Sequence, residues 1–285
     1  MDLRKYSMSS ADRELARRVL NYQPFIISDD VQTGVAYSWL YDTDGGRHVY
    51  SREDFVFDRK CDSSEIWTKA VDANRRLAAM YDAMLDEIAA RFPRHSLADM
   101  ACNNGYFLIG ASLRGMKACA GFDQADYSDA INFLNRITGS EASFLNRSYD
   151  PWLHRVDDFE PHDVVICSQI MQHIPDPLYF LSFLASRAKK ALLIFQGMGE
   201  TDKLQVYYQP PNRFYKDTKF PVNFDNDVGL SRGMLLLGLD QLGFDEVVEI
   251  PWRPEWLPAP WYGSQKVLLA MRKTRSYFHN HHGVS

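Results

Sequence analysis

Cysteine is scarce in this 285-residue chain: only Cys61, Cys102, Cys119 and Cys167 are present, and no two stand in a Cys-x-x-Cys spacing. That argues against a disulfide framework or a cysteine zinc site, and three of the four thiols lie in apolar stretches, as reduced thiols do in a cytoplasmic protein. Long apolar runs are missing too. Runs such as Ala191–Phe195 and Met234–Leu237 fall far short of the roughly 20 residues that cross a bilayer, so no membrane partner is expected. Residues 1–18 carry no apolar core of a signal peptide, which again reads as cytoplasmic. Positive charge is not in excess: 32 Lys and Arg against 37 Asp and Glu leave a net charge of −5. A broad basic field of the kind that drives non-specific binding to nucleic acid or anionic lipid is therefore absent.

What remains is an ordinary globular composition, 46% hydrophobic and 24% charged. Leu15, Val19 and Leu20 recur near helical spacing behind Ser10, which predicts a capped helix over residues 10–21. Residues 22–60 mix Pro24, Gly34, Gly45 and Gly46 with the β-formers Phe25-Ile26-Ile27 and Phe55-Val56-Phe57, so irregular chain with one hairpin is expected. Ile66, Ala70, Leu77, Met80, Tyr81, Leu85 and Ile88 share one face of a long helix over about 65–91, which Pro93 stops.

From Leu97 onward, short apolar runs alternate with helical segments. Strands are expected at 97–101, 118–123, 142–146, 163–168, 191–196, 245–250 and 266–272, and helices at about 105–115, 126–138, 177–188 and 232–242. This cadence predicts an α/β fold: a Rossmann-like, seven-stranded, mostly parallel sheet with helices on both faces and the last strand antiparallel. The expected organisation is an N-terminal helical extension or lid at 1–64, a nucleoside-binding core at 65–275 with a cap inserted at about 200–231, and a flexible tail at 276–285.

The first chemical signal is the run Ala98-Asp99-Met100-Ala101-Cys102-Asn103-Asn104-Gly105-Tyr106-Phe107, where a strand passes through a small-residue turn into a helix. Such a turn lets backbone N–H groups approach a ligand closely. The next strand ends at Asp123, an acid suited to two hydrogen bonds from ribose hydroxyls, followed by Gln124. A dinucleotide fingerprint would need glycines where Ala101 and Asn103 stand, so a nicotinamide or flavin cofactor fits poorly. The bland alternatives are a helix-capping Asp99 and an ordinary Asn-Asn-Gly turn.

The loop resembles motif I of the class I S-adenosylmethionine (SAM) dependent methyltransferases, and within them most resembles the branch of tRNA wobble-uridine methyl and carboxymethyl transferases. What the resemblance implies is that Asp99 orients the methionine ammonium group, Ala101, Asn103 and Gly105 approach the ligand, and Asp123 with Gln124 holds the ribose. In the same resemblance, Tyr81 of the preceding helix reaches the methionine end, and Ser148 and Tyr149 after the third strand contact adenine; turn-capping is the competing role for the latter pair.

A second run, from Asp163 through Ser168, Gln169, Gln172 and His173 to Pro175, resembles the family's fourth strand with its His-containing loop. Ser168 then lies beside the cofactor and His173 is the candidate general base, a structural hydrogen bond in the following turn being the rival role. The carboxymethyl branch carries Tyr where Gln172 stands and usually Glu where Gln196 stands. Those departures favour SAM, with S-adenosylhomocysteine (SAH) as product, and plain methyl transfer.

Two aromatic stretches, Tyr207 to Tyr215 and Trp252 to Tyr262, suit the walls of an acceptor pocket or the cover of a sheet edge. Gln172, Gln196, Tyr207 and Arg213 are the candidate substrate residues, while Tyr37, Trp39 and Tyr41 belong to a segment that closes over the cofactor. The terminal His279, His281 and His282 have no carboxylate or thiol companion, so no metal site is expected. The reading is a methyltransferase acting on a hydroxyl of a small molecule, with nucleic acid less favoured and a homodimer allowed. Its rivals are a tRNA-modifying enzyme, a non-catalytic SAM-binding subunit and a nicotinamide enzyme.

Overall fold

The computed structural model describes residues 1–41, 55–150, 152–153, 155–208, 228–258 and 264–273. Helix α1 (Ser10–Val19) is capped by Ser9 rather than Ser10, because Asp12 stands three residues on and returns the bond that closes a capping box. The expected hairpin is a three-stranded antiparallel sheet of β1 (Phe25–Ile26), β2 (Val31–Thr33) and β3 (Val56–Asp58), with a short helix α2 (Ala36–Tyr41) between β2 and β3. Helix α3 (Ser64–Arg91) ends just before Pro93. It buries Ala70, Leu77, Met80, Met84, Leu85 and Ile88, the stripe its sequence spacing dictates.

The strands β4 (Ser96–Met100), β5 (Lys117–Asp123), β6 (Ser143–Asn146), β7 (His162–Ser168), β8 (Ala188–Met198), β11 (Glu246–Glu249) and β12 (Ser264–Met271) make one seven-stranded sheet in the order β11-β12-β8-β7-β4-β5-β6. The five strands β6, β5, β4, β7 and β8 are parallel, and β12 runs antiparallel to both β8 and β11. The order reverses at β4, the switch point at which α/β sheets bind ligands beyond their carboxyl ends. Connecting helices are α4 (Tyr106–Leu113), α5 (Ser128–Thr138), α6 (Pro177–Arg187) and α7 (Arg232–Gln241), and a two-stranded ribbon pairs β9 (Val206–Tyr208) with β10 (Val228–Leu230). The fold is Rossmann-like. No helix among the described residues is long and apolar enough to cross a membrane.

The chain packs as two compact units. One comprises Met1–His95, Cys102–Asn146 and Arg253–Pro258; the other comprises Ser96–Ala101, Arg147–Trp252 and Ala259–Ser285. In the first, α3 and α4 cross at Gly110, where a Cβ would come within 2.5 Å of the Leu85 side chain. Trp256 is buried in this unit, and Arg76 on α3 donates to its carbonyl oxygen, so this tryptophan of the second aromatic stretch is core. In the second unit, β7 and β8 are flanked by α6, whose Asp176 cap and Pro177 fix where the helix starts.

Candidate functional site

In the first unit the turn after β4 is a network of side chain to backbone bonds. Asn103 has φ of 48° and Gly105 φ of 82°, both left-handed. Asparagine tolerates that region and glycine enters it freely. A Cβ on Gly105 would also meet Ile131 Cγ1 at 3.0 Å, so only glycine fits this point of entry into α4.

The N-terminal segment holds the turn from outside. Asn104 Oδ1 accepts the backbone N–H groups of Asn21 (3.2 Å) and Tyr22 (3.0 Å), and its amide donates to Val19 O. Gln23 Oε1 accepts the N–H of Tyr106 at 2.8 Å, satisfying an orphan donor at the start of α4. Its Nε2 donates to Cys102 O.

Asp123, 7% exposed at the end of β5, takes the Asn103 N–H on Oδ2 (3.1 Å) and the Ala125 N–H on Oδ1 (3.0 Å). The two bonds fix the plane of the carboxylate and tie it to the turn. Tyr127 donates to Asn103 Oδ1 at 3.0 Å, and Asn146 donates to the carbonyls of Asp123 and Gln124. Thus Asn103 is bonded to Asp123, and Asn146 ties Asp123 to Gln124. Tyr81, 4% exposed, packs at the start of α4, with its ring 5.3 Å from Tyr106 and 4.5 Å from Phe107. Tyr37 packs on Tyr41 and Phe57, and Trp39 on Tyr22.

The second unit carries Asp99 near the end of β4, 2% exposed, followed by Ala101 at φ of 62°. Burial raises the Cys167 thiol far above its ordinary value and the Asp99 carboxylate adds to the rise, so this sulfur stays protonated. Ser168 ends β7, and the next residue, Gln169, has φ of 56°. Its N–H returns to Phe195 O (2.9 Å), which joins the ends of β7 and β8. Beyond it the side chains form a row of amides. Gln196 Nε2 donates to Gln172 Oε1, Gln172 Nε2 to Gln169 Oε1 (3.2 Å), and Gln169 Nε2 to Gln265 Oε1 on β12 (2.7 Å). Gln172 Nε2 also faces His173 Nε2 at 3.4 Å. The amide nitrogen can donate to a ring nitrogen that presents its lone pair, which links Gln172 to His173.

Ser148 is exposed, whereas the Tyr149 ring packs against Phe180 (4.8 Å) and Phe183 (5.3 Å), and burial pushes its hydroxyl well above the ordinary value. Tyr207 lies across Gly229 in the β9–β10 ribbon. Arg213, the aromatics from Gln209 to Tyr215, Trp261, Tyr262 and the terminal histidines lie outside the described residues.

Sequence reasoning missed Gln23, Asn21 and Asn104 as supports of the turn, Tyr127 as the partner of Asn103, and Gln169 and Gln265 as members of the amide row. Only Tyr127 left a signal, a polar aromatic one turn beyond the acid that ends β5. The others depend on partners 82 to 96 residues away.

No protein-family model and no curated protein matches the sequence. Among solved structures, the chain is similar to the N-terminal domain of EvdMO1, crystallised with SAH and D-fucose, at 14% identity and a TM-score of 0.49 over 68% of this chain and 83% of that one. It is similar to magnesium protoporphyrin IX methyltransferase from Synechocystis PCC 6803 with bound SAM, at 16% identity and a TM-score of 0.49 over 71% and 83% of the two chains. It is also similar to Burkholderia thailandensis 1,6-didemethyltoxoflavin-N1-methyltransferase, at 10% identity and a TM-score of 0.48 over 89% of this chain and all of that one.

Proposed function

We propose that the chain is a SAM-dependent methyltransferase of class I that moves a methyl group to a hydroxyl of a small polar acceptor. The observation that carries this reading is the bonded set of left-handed turn and buried acid: the turn entering α4 is locked to Asp123 through Asn103, at the switch point of a Rossmann-like sheet. The donor set suits a nucleoside with an amino acid attached. In the first unit a buried carboxylate accepts from ribose hydroxyls and a left-handed turn offers backbone N–H groups, and the resemblance assigns the ammonium group to Asp99.

In this reading Ala101, Asn103, Gly105 and Gln124 line the nucleoside, Ser148 and Tyr149 meet adenine, Ser168 lies beside the sulfonium, and Tyr81 supports the methionine end. When bound, SAM supplies an electrophilic methyl carbon whose bond to sulfur breaks as the acceptor's lone pair arrives, leaving SAH. The chain's own residues align the acceptor and take its proton. His173, whose Nε2 lies 3.4 Å from Gln172 Nε2, is the base. Gln172, Gln196, Tyr207 and Arg213 receive the acceptor.

The loop from Cys102 to Tyr106 favours the wobble-uridine branch, while Gln172 and Gln196 part from its carboxymethyl members. A small-molecule acceptor accords with the acidic net charge, and reduced buried thiols accord with the cytoplasm.

Calorimetric titration with SAM, SAH and NAD tests the cofactor. Binding of the two sulfur nucleosides and not of NAD is expected, and a folded sample that binds neither overturns the reading. With an acceptor in hand, His173→Ala should lower kcat about 100-fold or more while leaving SAM affinity intact.

A further inference from the structure

We infer that the row Gln196-Gln172-Gln169-Gln265 reads the acceptor, and that the acceptor is an uncharged molecule presenting an N–H or O–H donor next to a hydrogen-bond acceptor, as a lactam edge or a pair of hydroxyls does. This deepens the methyltransferase reading and rests on it for what happens to the bound molecule.

The row is polar but carries no charge, and its bonds all run in one direction. Each amide oxygen accepts from the amide nitrogen before it, from Gln196 through Gln172 and Gln169 to Gln265. A chain of aligned amides ends in an acceptor on one side and a donor on the other. The acceptor end is Gln196 Oε1. Gln196 is 6% exposed, and this oxygen is buried with no hydrogen-bond partner among the described residues. A buried carbonyl oxygen calls for a donor. An N–H or O–H satisfies it, whereas a carboxylate or phosphate would set lone pair against lone pair at the buried oxygen.

The charges beside the row do not favour an anion either. Lys266, next to Gln265 on β12, is paired with Glu249 at 2.9 Å and Glu200 at 3.6 Å. The opposite requirement, a donor for the ligand's own acceptor atom, is met by the same side chain, since Gln196 Nε2 gives one of its two hydrogens to Gln172 Oε1 and carries a second. Gln172 belongs both to the row and to the environment of His173. A molecule held by these amides is therefore held by the neighbours of the proposed base.

Three probes of one shape separate the alternatives: 2-pyridone, which has the neutral N–H and carbonyl edge; N-methyl-2-pyridone, which lacks the donor; and benzoate, which is anionic. Their dissociation constants for the full chain, by ligand-observed NMR with saturating SAH, should favour 2-pyridone by about tenfold or more over each of the others. Gln196→Met should remove that preference, and Gln172→Met serves where the first variant does not fold.

Benzoate or N-methyl-2-pyridone binding as well as 2-pyridone overturns the inference, as does no 2-pyridone binding or a preference that survives in a folded variant. Should SAH itself fail to bind, the methyltransferase reading falls. The same three-probe comparison on the nucleoside-free protein then still decides whether the row reads neutral donors.

Discussion

Gly105 shows how much of the site depends on single residues. Its φ of 82° and the 3.0 Å approach to Ile131 leave no room for a side chain. Gly105→Ala must either strain the left-handed turn, at a cost of about 1–2 kcal/mol, or release it from α4. The expected result is a loss of about 2 kcal/mol in urea unfolding with an unchanged m value, accompanied by weaker SAM binding. Full stability in the variant would show that the turn relaxes without strain. The glycine could be read in the sequence, because a small-residue turn between a strand and a helix has few physical solutions. The residues that hold that turn could not: Gln23 and Asn104 are ordinary polar residues until the fold brings them together over separations of more than 80 positions.

At the scale of elements, the central strands β4, β7 and β8 were legible because each is an apolar run buried on both faces over most of its length, and with β5 they fall within two or three residues of where the sequence puts them. The N-terminal elements were less so. The strands β1, β2 and β3 have only two or three residues each, and helix α2 carries Tyr37, Trp39 and Tyr41, whose aromatic pattern does not distinguish helix from strand. The segment containing β1 nevertheless supports the site, since Gln23 accepts the first N–H of α4 at 2.8 Å.

Gln23→Leu keeps the side chain's bulk and removes that acceptor. Cys102 O loses a donor too, but it still accepts from Gly105 N at 2.9 Å, so the principal loss is one buried N–H left without a partner. That costs about 1–3 kcal/mol. Hydrogen exchange at the Tyr106 amide should rise sharply in the variant while the protection of β7 and β8 is unchanged. An amide as protected as in the parent would mean that another group takes over the cap.

For the whole molecule, the pH dependence of stability follows from which charges folding disfavours. Burial is the main cause lowering the pKa of His162 from its ordinary 6.5; its ring stacks on Phe159, and Nδ1 lies 2.8 Å from Glu160 O. The unfolded chain binds this proton more readily, so acidification below 6.5 favours unfolding.

The carboxylates act in a lower window with the same outcome. Ser9 and Arg136 hold Asp12 down to about 2, Arg4 holds Asp2 below its ordinary value, and Arg75 and Arg76 do the same for Asp72. Their stabilisation is complete above the ordinary carboxylate range and is lost only as pH falls through it. Melting temperature should therefore fall in two stages on acidification. In His162→Phe, which keeps the stack on Phe159, the decline that sets in below about pH 6.5 should be shallower, and the carboxylate limb should be unchanged. An identical profile in the two proteins would mean that His162 keeps its ordinary affinity for the proton in the folded chain.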